Sequence, residues 1–314
     1  MTRGARVLHV EDDAGYATMF QMVLEGENLP VQTASTGNQA LKALRAGSPP
    51  DQREPDGPPA RVVVLGRDFA GEVEATGAGA FRFRAGDPVF GVVAKPVLGD
   101  GSFCECLTVA EDAGVARIPE GLDRQTAGAL GLAGTAALMC VDAVAPAAGE
   151  AVLICGATGG VGAYAVQLAA DCGAEVIATA QPGVEADFVR RLGATITVDY
   201  GSDLAEQVRT VRPHGVDAVI HLVGDGLQLA DLLVPGGRMA STLGLGPQQL
   251  ADRPIVATSI VASPSPALLE RLAADAAAGR LRVPVQRSYR LEQVPEAIAD
   301  FATGTLGKLA ITIG

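Results

Sequence analysis

A glycine-rich turn constrains the fold of this chain more than any other feature of its sequence. It spans residues 156–162, reads GATGGVG, and follows an apolar stretch of strand type at residues 151–155. Residues 161–172 then show the spacing of apolar side chains that is typical of an amphipathic helix. A strand, a glycine-rich turn and a helix in this order are typical of a βαβ unit that binds a ligand at its turn.

The turn carries a variant of the dinucleotide-binding fingerprint. From Ala157 it reads A-x-G-x-x-G with one extra glycine. Glycine permits the tight turn and lets backbone N–H groups approach a diphosphate, while Gly162 lets the helix pack close to the strand. The start of the helix offers free N–H groups and the positive end of its dipole. We predict dinucleotide contacts at Gly156, Ala157, Gly159, Gly160, Val161 and Gly162.

Strand-type and helical segments alternate from residue 151 to residue 243. Connections of this length indicate parallel βαβ crossovers, and fully apolar strands suit a sheet that is buried on both faces. The predicted class is therefore α/β, with a doubly wound parallel sheet of the Rossmann type. The predicted strands are 151–155, 175–180, 196–198, 216–223 and 238–243, and the predicted helices are 161–172, 186–192, 204–211 and 227–233.

The end of the second predicted strand bears on the choice between NADP and NAD. It reads Thr179-Ala180-Gln181 and lacks the acid that usually binds the ribose 2′-hydroxyl of NAD. This favours NADP(H), with NAD(H) as the alternative. The alternative stays open because Glu185 and Asp187 disfavour a phosphate and no basic residue lies between 176 and 189.

Residues 61–118 differ from the alternating segment because turn residues interrupt them at short intervals. This pattern predicts an antiparallel or barrel-like β unit. The Pro-rich, charged stretch 48–60 is the most linker-like part of the chain and indicates a domain boundary. The predicted strands are 61–65, 71–76, 88–93 and 104–109, and the C-terminal piece carries predicted helices at 266–278 and 294–303 and strands at 281–285 and 308–313.

Charge and composition exclude several classes of partner. The 24 basic and 36 acidic residues give a formal charge of −12, which disfavours nucleic acid and anionic membranes. The most apolar stretch, 127–141, is shorter than the roughly 20 residues of a membrane span. Five scattered cysteines indicate a reducing compartment, and the acids at 11–13 precede any apolar run of a signal peptide, so no secretion signal is expected. We therefore predict a cytoplasmic protein with no membrane or nucleic-acid partner.

From Arg61 onward the chain resembles the medium-chain dehydrogenase/reductase superfamily, in its zinc-free quinone oxidoreductase branch. The matching blocks are VVVLGRDFAGEVEATGAGAFRFRAGDPVFGVV, GSFCECLTV, VLICGATGGVGAYAVQLAADCGAEVIATA, LGATITVDY, GVDAVIHLVGDG, LVPGGRMAS and GKLAITI. The resemblance implies a GroES-like β-barrel catalytic domain at 61–120 and 260–314. It also implies a Rossmann dinucleotide-binding domain at 121–259, a nicotinamide in the cleft between the two, and a homodimer.

The resemblance implies further contacts with the cofactor. The family threonine near the nicotinamide falls at Ala136, beside Thr135, and the family lysine that pairs with the 2′-phosphate falls at about Val184 or Glu185. The implied contacts are Thr179 and Ala180 at the adenosine ribose, Tyr200 near the 2′-phosphate, Val223, Gly224, Leu243 and Gly244 beside the nicotinamide, and Thr135 and Lys308 in the cleft.

Zinc is not expected in this chain. Zinc-dependent members carry Gly-His-Glu where residues 66–68 read Gly-Arg-Asp, and their four-cysteine lobe has no counterpart here. His9, His214 and His221 have no carboxylate or cysteine at ligand spacing. We predict no metal site.

Residues 6–46 instead resemble the first βαβα of a response-regulator receiver domain. Asp12 and Asp13 occupy the position of the acidic pair that holds Mg²⁺ in receivers. Gly66 stands where the phosphoacceptor aspartate is expected, so phosphotransfer is not predicted. Segment 1–60, the receiver-like half domain and linker, replaces the first barrel strands of the family. Either its strands cover the exposed edge or the barrel is open and incomplete.

The catalytic residues stay unassigned, because no nucleophile–base pair is evident. Tyr164 matches an aromatic core position, and His221 replaces a family aspartate and is expected to be a buried, hydrogen-bonded histidine. Tyr289 is expected at the surface, and Arg67 and Asp68 are expected to tie the barrel turn.

Together these features predict an oxidoreductase that needs no zinc. It would transfer hydride from NAD(P)H, with NADP(H) preferred, to a quinone or an α,β-unsaturated carbonyl (an enone or enoyl compound). The alternative is a catalytically silent nucleotide-binding protein or a receiver-linked regulatory protein.

Overall fold

A computed structural model describes residues 7–10, 31–34, 64–94 and 101–313. The strands are β1 (Val7–Val10), β2 (Val31–Ala34), β3 (Asp68–Glu72), β4 (Pro88–Val92), β5 (Val115–Arg117), β6 (Ala151–Cys155), β7 (Glu175–Thr179), β8 (Ile196–Val198), β9 (Val216–His221), β10 (Leu233–Ser241), β11 (Val256–Ser259), β12 (Val285–Arg290) and β13 (Lys308–Thr312). The helices are α1 (Arg124–Gly128), α2 (Gly131–Val144), α3 (Gly160–Asp171), α4 (Val184–Arg191), α5 (Leu204–Val211), α6 (Gly226–Ala230), α7 (Pro266–Ala277) and α8 (Val294–Phe301).

Six parallel strands form the central sheet, in the order β11-β10-β9-β6-β7-β8. This is the doubly wound order in which the chain runs outward from β6 to one edge and then returns to build the other half. The predicted parallel α/β sheet is therefore confirmed. The order reverses between β6 and β9, and in such sheets ligands bind at that point, beyond the carboxyl ends of the strands.

Both faces of the central sheet are buried, as a parallel sheet between helices requires. Along β6, Val152 and Ile154 face a core shared with α2 and α3. Leu153 and Cys155 face the opposite core, which includes side chains of α5 and α6. Each large aliphatic side chain that is fully buried stabilises the fold by about 1.5–3 kcal/mol. This double burial holds the carboxyl ends of β6 and β9 rigidly side by side.

The part predicted to be GroES-like contributes a three-stranded antiparallel sheet, β3-β4-β5, and a parallel pair, β12-β13, within the described residues. Phe90 of β4 is fully buried and joins the same core as α2 and α3. The β3-β4-β5 sheet therefore packs directly on the Rossmann helices, and β3 begins with Asp68 beside them.

Two helices, α1 and α2, lie where the residue pattern predicted none. Helix α2 is rich in Ala and Gly and is buried on nearly all sides between β10, α3 and α7. A helix without a polar face shows no hydrophobic period of 3.6 residues, which explains why the sequence pattern missed it. Strand β11, at the edge of the sheet, was also missed.

The strand predicted at 104–109 is wrong. Residues 101–103 donate their backbone N–H groups to the carbonyl groups of residues 64–66. The Cys104 N–H instead donates to the nearby Ser102 carbonyl. The pairing therefore ends where the strand was expected to begin.

The strand predicted at 281–285 is also displaced, because β12 begins only at Val285. The Gln167 side chain of α3 donates to the Arg282 carbonyl over 3.0 Å and accepts from the Arg282 N–H over 2.8 Å. The Gln167 side chain thus forms hydrogen bonds with the Arg282 backbone groups that a neighbouring strand would otherwise pair with.

Near the N-terminus, β1 and β2 pair in parallel. This is the pairing that a βαβ unit produces, and the receiver-like assignment stays a prediction. Asp12, Asp13 and the linker 48–60 lie outside the described residues.

Candidate dinucleotide-binding site

The glycine turn lies at the carboxyl end of β6, next to the end of β9. Gly156 has a left-handed backbone with φ of +86°, which favours glycine. A methyl group on Gly162 would lie 2.0 Å from the Gly156 carbonyl oxygen, so α3 approaches the turn more closely than any side chain allows. Gly159 caps α3 without a side-chain hydrogen bond. The first N–H groups of the helix are thus left for a ligand, which fits a diphosphate.

Thr179, at the end of β7, fastens the turn to the sheet. Its hydroxyl accepts a hydrogen bond from the Gly156 N–H over 2.9 Å and lies 3.3 Å from the Ile154 carbonyl oxygen. Ala180 is buried and donates its N–H to the Val198 carbonyl. Thr179 therefore lies beside the glycine turn and Ala180 follows it. The Thr179 hydroxyl is engaged in hydrogen bonds with the backbone of Gly156 and Ile154.

Tyr200 and Glu185 meet beyond the end of β7. The Tyr200 hydroxyl donates to Glu185 Oε1 over 3.0 Å, and the Gln181 N–H donates to Glu185 Oε2 over 2.8 Å. Partial burial raises the pKa of Tyr200, and the Glu185 carboxylate adds to the rise. The Glu185 carboxylate of α4 therefore lies beside the end of β7, where residues 179–181 themselves contain no acid.

The chain's last strand closes the other side of the turn. Gly307 donates its N–H to the Thr158 carbonyl over 2.8 Å, and a methyl group on Gly160 would lie 2.9 Å from Lys308 Cδ. The Lys308 ammonium lies 3.2 Å from Asp68 Oδ2. Lys308 thus lies beside the turn with its charge directed to Asp68 of β3, and its predicted contact with the cofactor stays a prediction.

His221 joins the two loops that were predicted to flank the nicotinamide. Its Nε2 lies 3.1 Å from the Gly224 carbonyl oxygen, and its Nδ1 lies 3.0 Å from the Ser241 hydroxyl, which accepts from the Leu243 N–H. Because a carbonyl only accepts, Nε2 carries the proton and Ser241 donates to Nδ1. The ring is buried, so the expected buried histidine lies here.

The predicted loop residues lie at this same edge of the sheet. Val223 is half exposed, and its Cγ1 would lie 3.0 Å from a methyl group on Gly156. Gly224 and Gly244 both have left-handed backbones. Thr135 differs from this group: it is fully buried in α2, and its hydroxyl donates to the Gly131 carbonyl of the same helix.

The other candidate catalysts have structural partners. Tyr164 is fully buried and donates to the Ala129 carbonyl, and burial raises the pKa of its phenol far above the ordinary value. Arg67 donates to the Val93 carbonyl and so joins the start of β3 to the end of β4, at the opposite end from the turn between these two strands. The surface position expected for Tyr289 is wrong. Its ring is buried under the Arg287 guanidinium, and its hydroxyl donates to Asp300 of α8.

Metal ligation and membrane insertion find no support in the residues that the structure describes. Residues 7–10, 31–34, 64–94 and 101–313 contain no group of three or more His, Cys, Asp or Glu side chains that could hold a metal ion. In the same ranges no helix has the length and apolarity to cross a membrane.

Two family models match the chain, one before and one after the glycine turn. A model described as an alcohol dehydrogenase GroES-like domain matches residues 31–148, and one described as a zinc-binding dehydrogenase matches residues 192–311. The first match begins inside the segment that was predicted to be receiver-like.

Three known proteins illustrate what the chain is similar to. A mycocerosic acid synthase-like polyketide synthase of Mycolicibacterium smegmatis is 34% identical over 81% of this chain, which spans only 13% of that synthase. A mycobacterial protein solved in complex with NADPH is 25% identical, with a TM-score of 0.69 and coverage of 79% of this chain and 82% of that one. The quinone oxidoreductase of Sus scrofa is 31% identical, with 79% of each chain covered. The predicted resemblance is thereby confirmed, and the chain belongs to the quinone oxidoreductase family of medium-chain dehydrogenase/reductases.

Proposed function

We propose that this chain is an NAD(P)H-dependent oxidoreductase that reduces a quinone or an α,β-unsaturated carbonyl without zinc. One observation carries the proposal. The glycine turn lies at the switch point of the sheet, holds uncapped helix N–H groups, and is closed by Gly307 and Lys308. This arrangement suits a diphosphate, and a bound nicotinamide dinucleotide supplies the hydride for reduction.

The chain's own residues position the reactants. The start of α3 and the backbone of Gly156–Gly162 would bind the diphosphate, while Thr179, Ala180 and Tyr200 would border the adenosine ribose. The nicotinamide would be bordered by two loops, which contain Val223, Gly224, Leu243 and Gly244. His221 connects these two loops through its hydrogen bonds and would fix their relative position. Orientation of this kind is the main contribution of a protein to hydride transfer.

The proton that completes the reduction comes, in this proposal, from water. Tyr164 donates its hydrogen bond into α1 and has a raised pKa, and His221 has both ring nitrogens engaged. These contacts favour structural roles for both residues. The role of water is consistent with a quinone, whose reduced oxygens take up protons readily in solution.

The partner, in this proposal, is a small quinone, enone or enoyl compound. The quinone oxidoreductase among the relatives supports the quinone, and the enone or enoyl compound is proposed from the resemblance of the sequence to the same branch. The cytoplasmic location, the homodimer, the absence of zinc and the domain boundaries at 61, 121 and 260 stay predictions.

The choice of dinucleotide rests on observations that point in opposite directions. The strand end without an acid and the NADPH complex of a structural neighbour support NADP(H). The position of Glu185 favours NAD(H).

The proposed activity is tested with purified protein, both reduced dinucleotides and a panel of quinones and enones. Oxidation of the dinucleotide followed at 340 nm, dependent on one of these acceptors, would support the proposal. Tight dinucleotide binding without turnover of any acceptor would instead favour the catalytically silent nucleotide-binding protein. Labelling of an aspartate by acetyl phosphate and Mg²⁺ would favour the receiver-linked regulatory protein.

A further inference from the structure

The carboxylate of Glu185 occupies the end of β7, although it belongs to the first turn of α4. The Gln181 N–H donates to Oε2 over 2.8 Å, and the Tyr200 hydroxyl donates to Oε1 over 3.0 Å. Both oxygens are held, so the carboxylate has a defined position between the loop after β7 and the loop after β8.

This position is where doubly wound sheets distinguish the two dinucleotides. The strand after the glycine turn ends beside the adenosine ribose, and an acid there accepts hydrogen bonds from the ribose 2′-hydroxyl. Thr179 links that strand end directly to Gly156 of the turn. Glu185 therefore places an acid at the ribose end of the site. Its carboxylate is joined to the chain just after β7 by the hydrogen bond from the Gln181 N–H.

The charges around Glu185 oppose a 2′-phosphate, which carries close to two negative charges at neutral pH. Asp199 lies near enough to contribute to the raised pKa of Tyr200. The nearest arginine of α4, Arg190, pairs with Asp187 and donates to Thr197. Arg190, one of the two arginines in the last turn of α4, is thus engaged with Asp187 and Thr197, and like charges placed together are strongly unfavourable.

We infer that Glu185, held by Tyr200 and Gln181, makes this site select NAD(H) over NADP(H). The carboxylate would accept from the 2′-hydroxyl of NAD(H) and repel the 2′-phosphate of NADP(H). This inference rests on the proposed function, because it assumes that a nicotinamide dinucleotide binds at the glycine turn. It departs from the preference predicted from residues 179–181 alone.

The experiment measures dissociation constants of NADH and NADPH by fluorescence titration, without any substrate. We expect NADH to bind at least about tenfold more tightly than NADPH. Glu185→Gln removes the charge while its amide can still accept from Gln181 and contact Tyr200. This variant should bring the two constants to within about threefold by tightening NADPH. Glu185→Lys should invert the preference.

Glu206→Gln is the matched control, because Glu206 is an exposed acid in the first turn of the next helix, α5, just as Glu185 is an acid in the first turn of α4. It should leave the ratio of the two constants unchanged. Tighter or equal binding of NADPH by the unmodified chain would overturn the inference and leave the proposed function standing. An unchanged ratio in Glu185→Gln would also overturn it. Failure of both dinucleotides to bind would overturn the proposed function itself.

Discussion

Lys308 and Asp68, 240 positions apart in the sequence, form an ion pair in which Nζ lies 3.2 Å from Oδ2. The other Asp68 oxygen accepts from the Leu132 N–H at the start of α2, over 2.6 Å. The Lys308 stem lies against Gly160. One pair of side chains therefore joins the last strand, the GroES-like sheet and the start of two Rossmann helices beside the glycine turn.

Replacing Lys308 with Met should weaken this junction. The side chains of Lys308 and Asp68 are only 21% and 18% exposed, so the carboxylate would lose its partner in a poorly solvated place. We expect a loss of about 1–2 kcal/mol in the free energy of unfolding, and weaker dinucleotide binding. Urea denaturation and fluorescence titration measure the two effects. The control is Arg271→Met, which breaks an exposed pair with Asp142 and should cost less than about 0.5 kcal/mol. Equal losses in both variants would contradict the role given to Lys308.

Gly162→Ala should strongly weaken dinucleotide binding. The new methyl group would meet the Gly156 carbonyl oxygen at 2.0 Å and backbone atoms of Ala157 at 2.6 Å, so the turn must move away from α3. We expect dinucleotide affinity to fall by at least about a hundredfold, together with a loss of stability of about 1–3 kcal/mol.

Gly77→Ala is the control for this variant, because a methyl group at Gly77 meets nothing within 4 Å. It should leave both affinity and the melting temperature nearly unchanged. Normal affinity in Gly162→Ala would mean that the turn does not bind the diphosphate.

His221→Phe should slow turnover more than it weakens dinucleotide binding. The substitution leaves the Gly224 carbonyl and the Ser241 hydroxyl without the ring that joins them, so the two loops beside the nicotinamide lose their common support. Since small misplacements at a reacting centre are costly, we expect kcat to fall at least about tenfold. The dissociation constant should change less than about threefold, because the diphosphate contacts lie elsewhere.

Exposed His214 provides the control for the histidine substitution, and His214→Phe should leave kcat unchanged. A His221→Phe protein with normal kcat would show that the ring does not position the loops for catalysis.

Alkylation of cysteine should depend on pH and on Glu74. Glu74 Oε2 lies 3.7 Å from Cys106 Sγ, and its charge raises the pKa of that exposed thiol. The thiolate reacts, so the rate at Cys106 should rise with pH, and Glu74→Gln should lower the pKa and speed alkylation at pH 8. Burial raises the pKa of Cys140 and Cys155 to about 12, so both should react only after unfolding. Peptide mass spectrometry at several pH values measures each site. A rate at Cys106 that is unaffected by Glu74→Gln would refute the assigned cause.

The main structural features of the candidate dinucleotide site could be predicted from the sequence because they are local. The fingerprint at 156–162 depends on backbone angles and close approach over a few residues, and these require glycine at 156 and 162. Residues far apart, such as Thr179, Val223 and Lys308, were reached through the resemblance to a family, and the structure brings them to one edge of the sheet.

The contacts between segments could not be read from the sequence. Glu185 was recognised as unfavourable for a phosphate, but its bonds with Tyr200 and Gln181 depend on how α4 packs against the ends of β7 and β8. The Ser241 contact of His221 likewise depends on the parallel register of β9 and β10.

The sequence by itself determined the alternating parallel sheet and the glycine turn, because apolar periodicity and glycine conformation act over neighbouring residues. Only the tertiary structure decided that Lys308 meets Asp68, that an Ala-rich segment becomes a buried helix, and that an acid reaches the end of β7. The physical reason is that these contacts arise from packing between distant segments, and packing depends on shapes that no local pattern encodes.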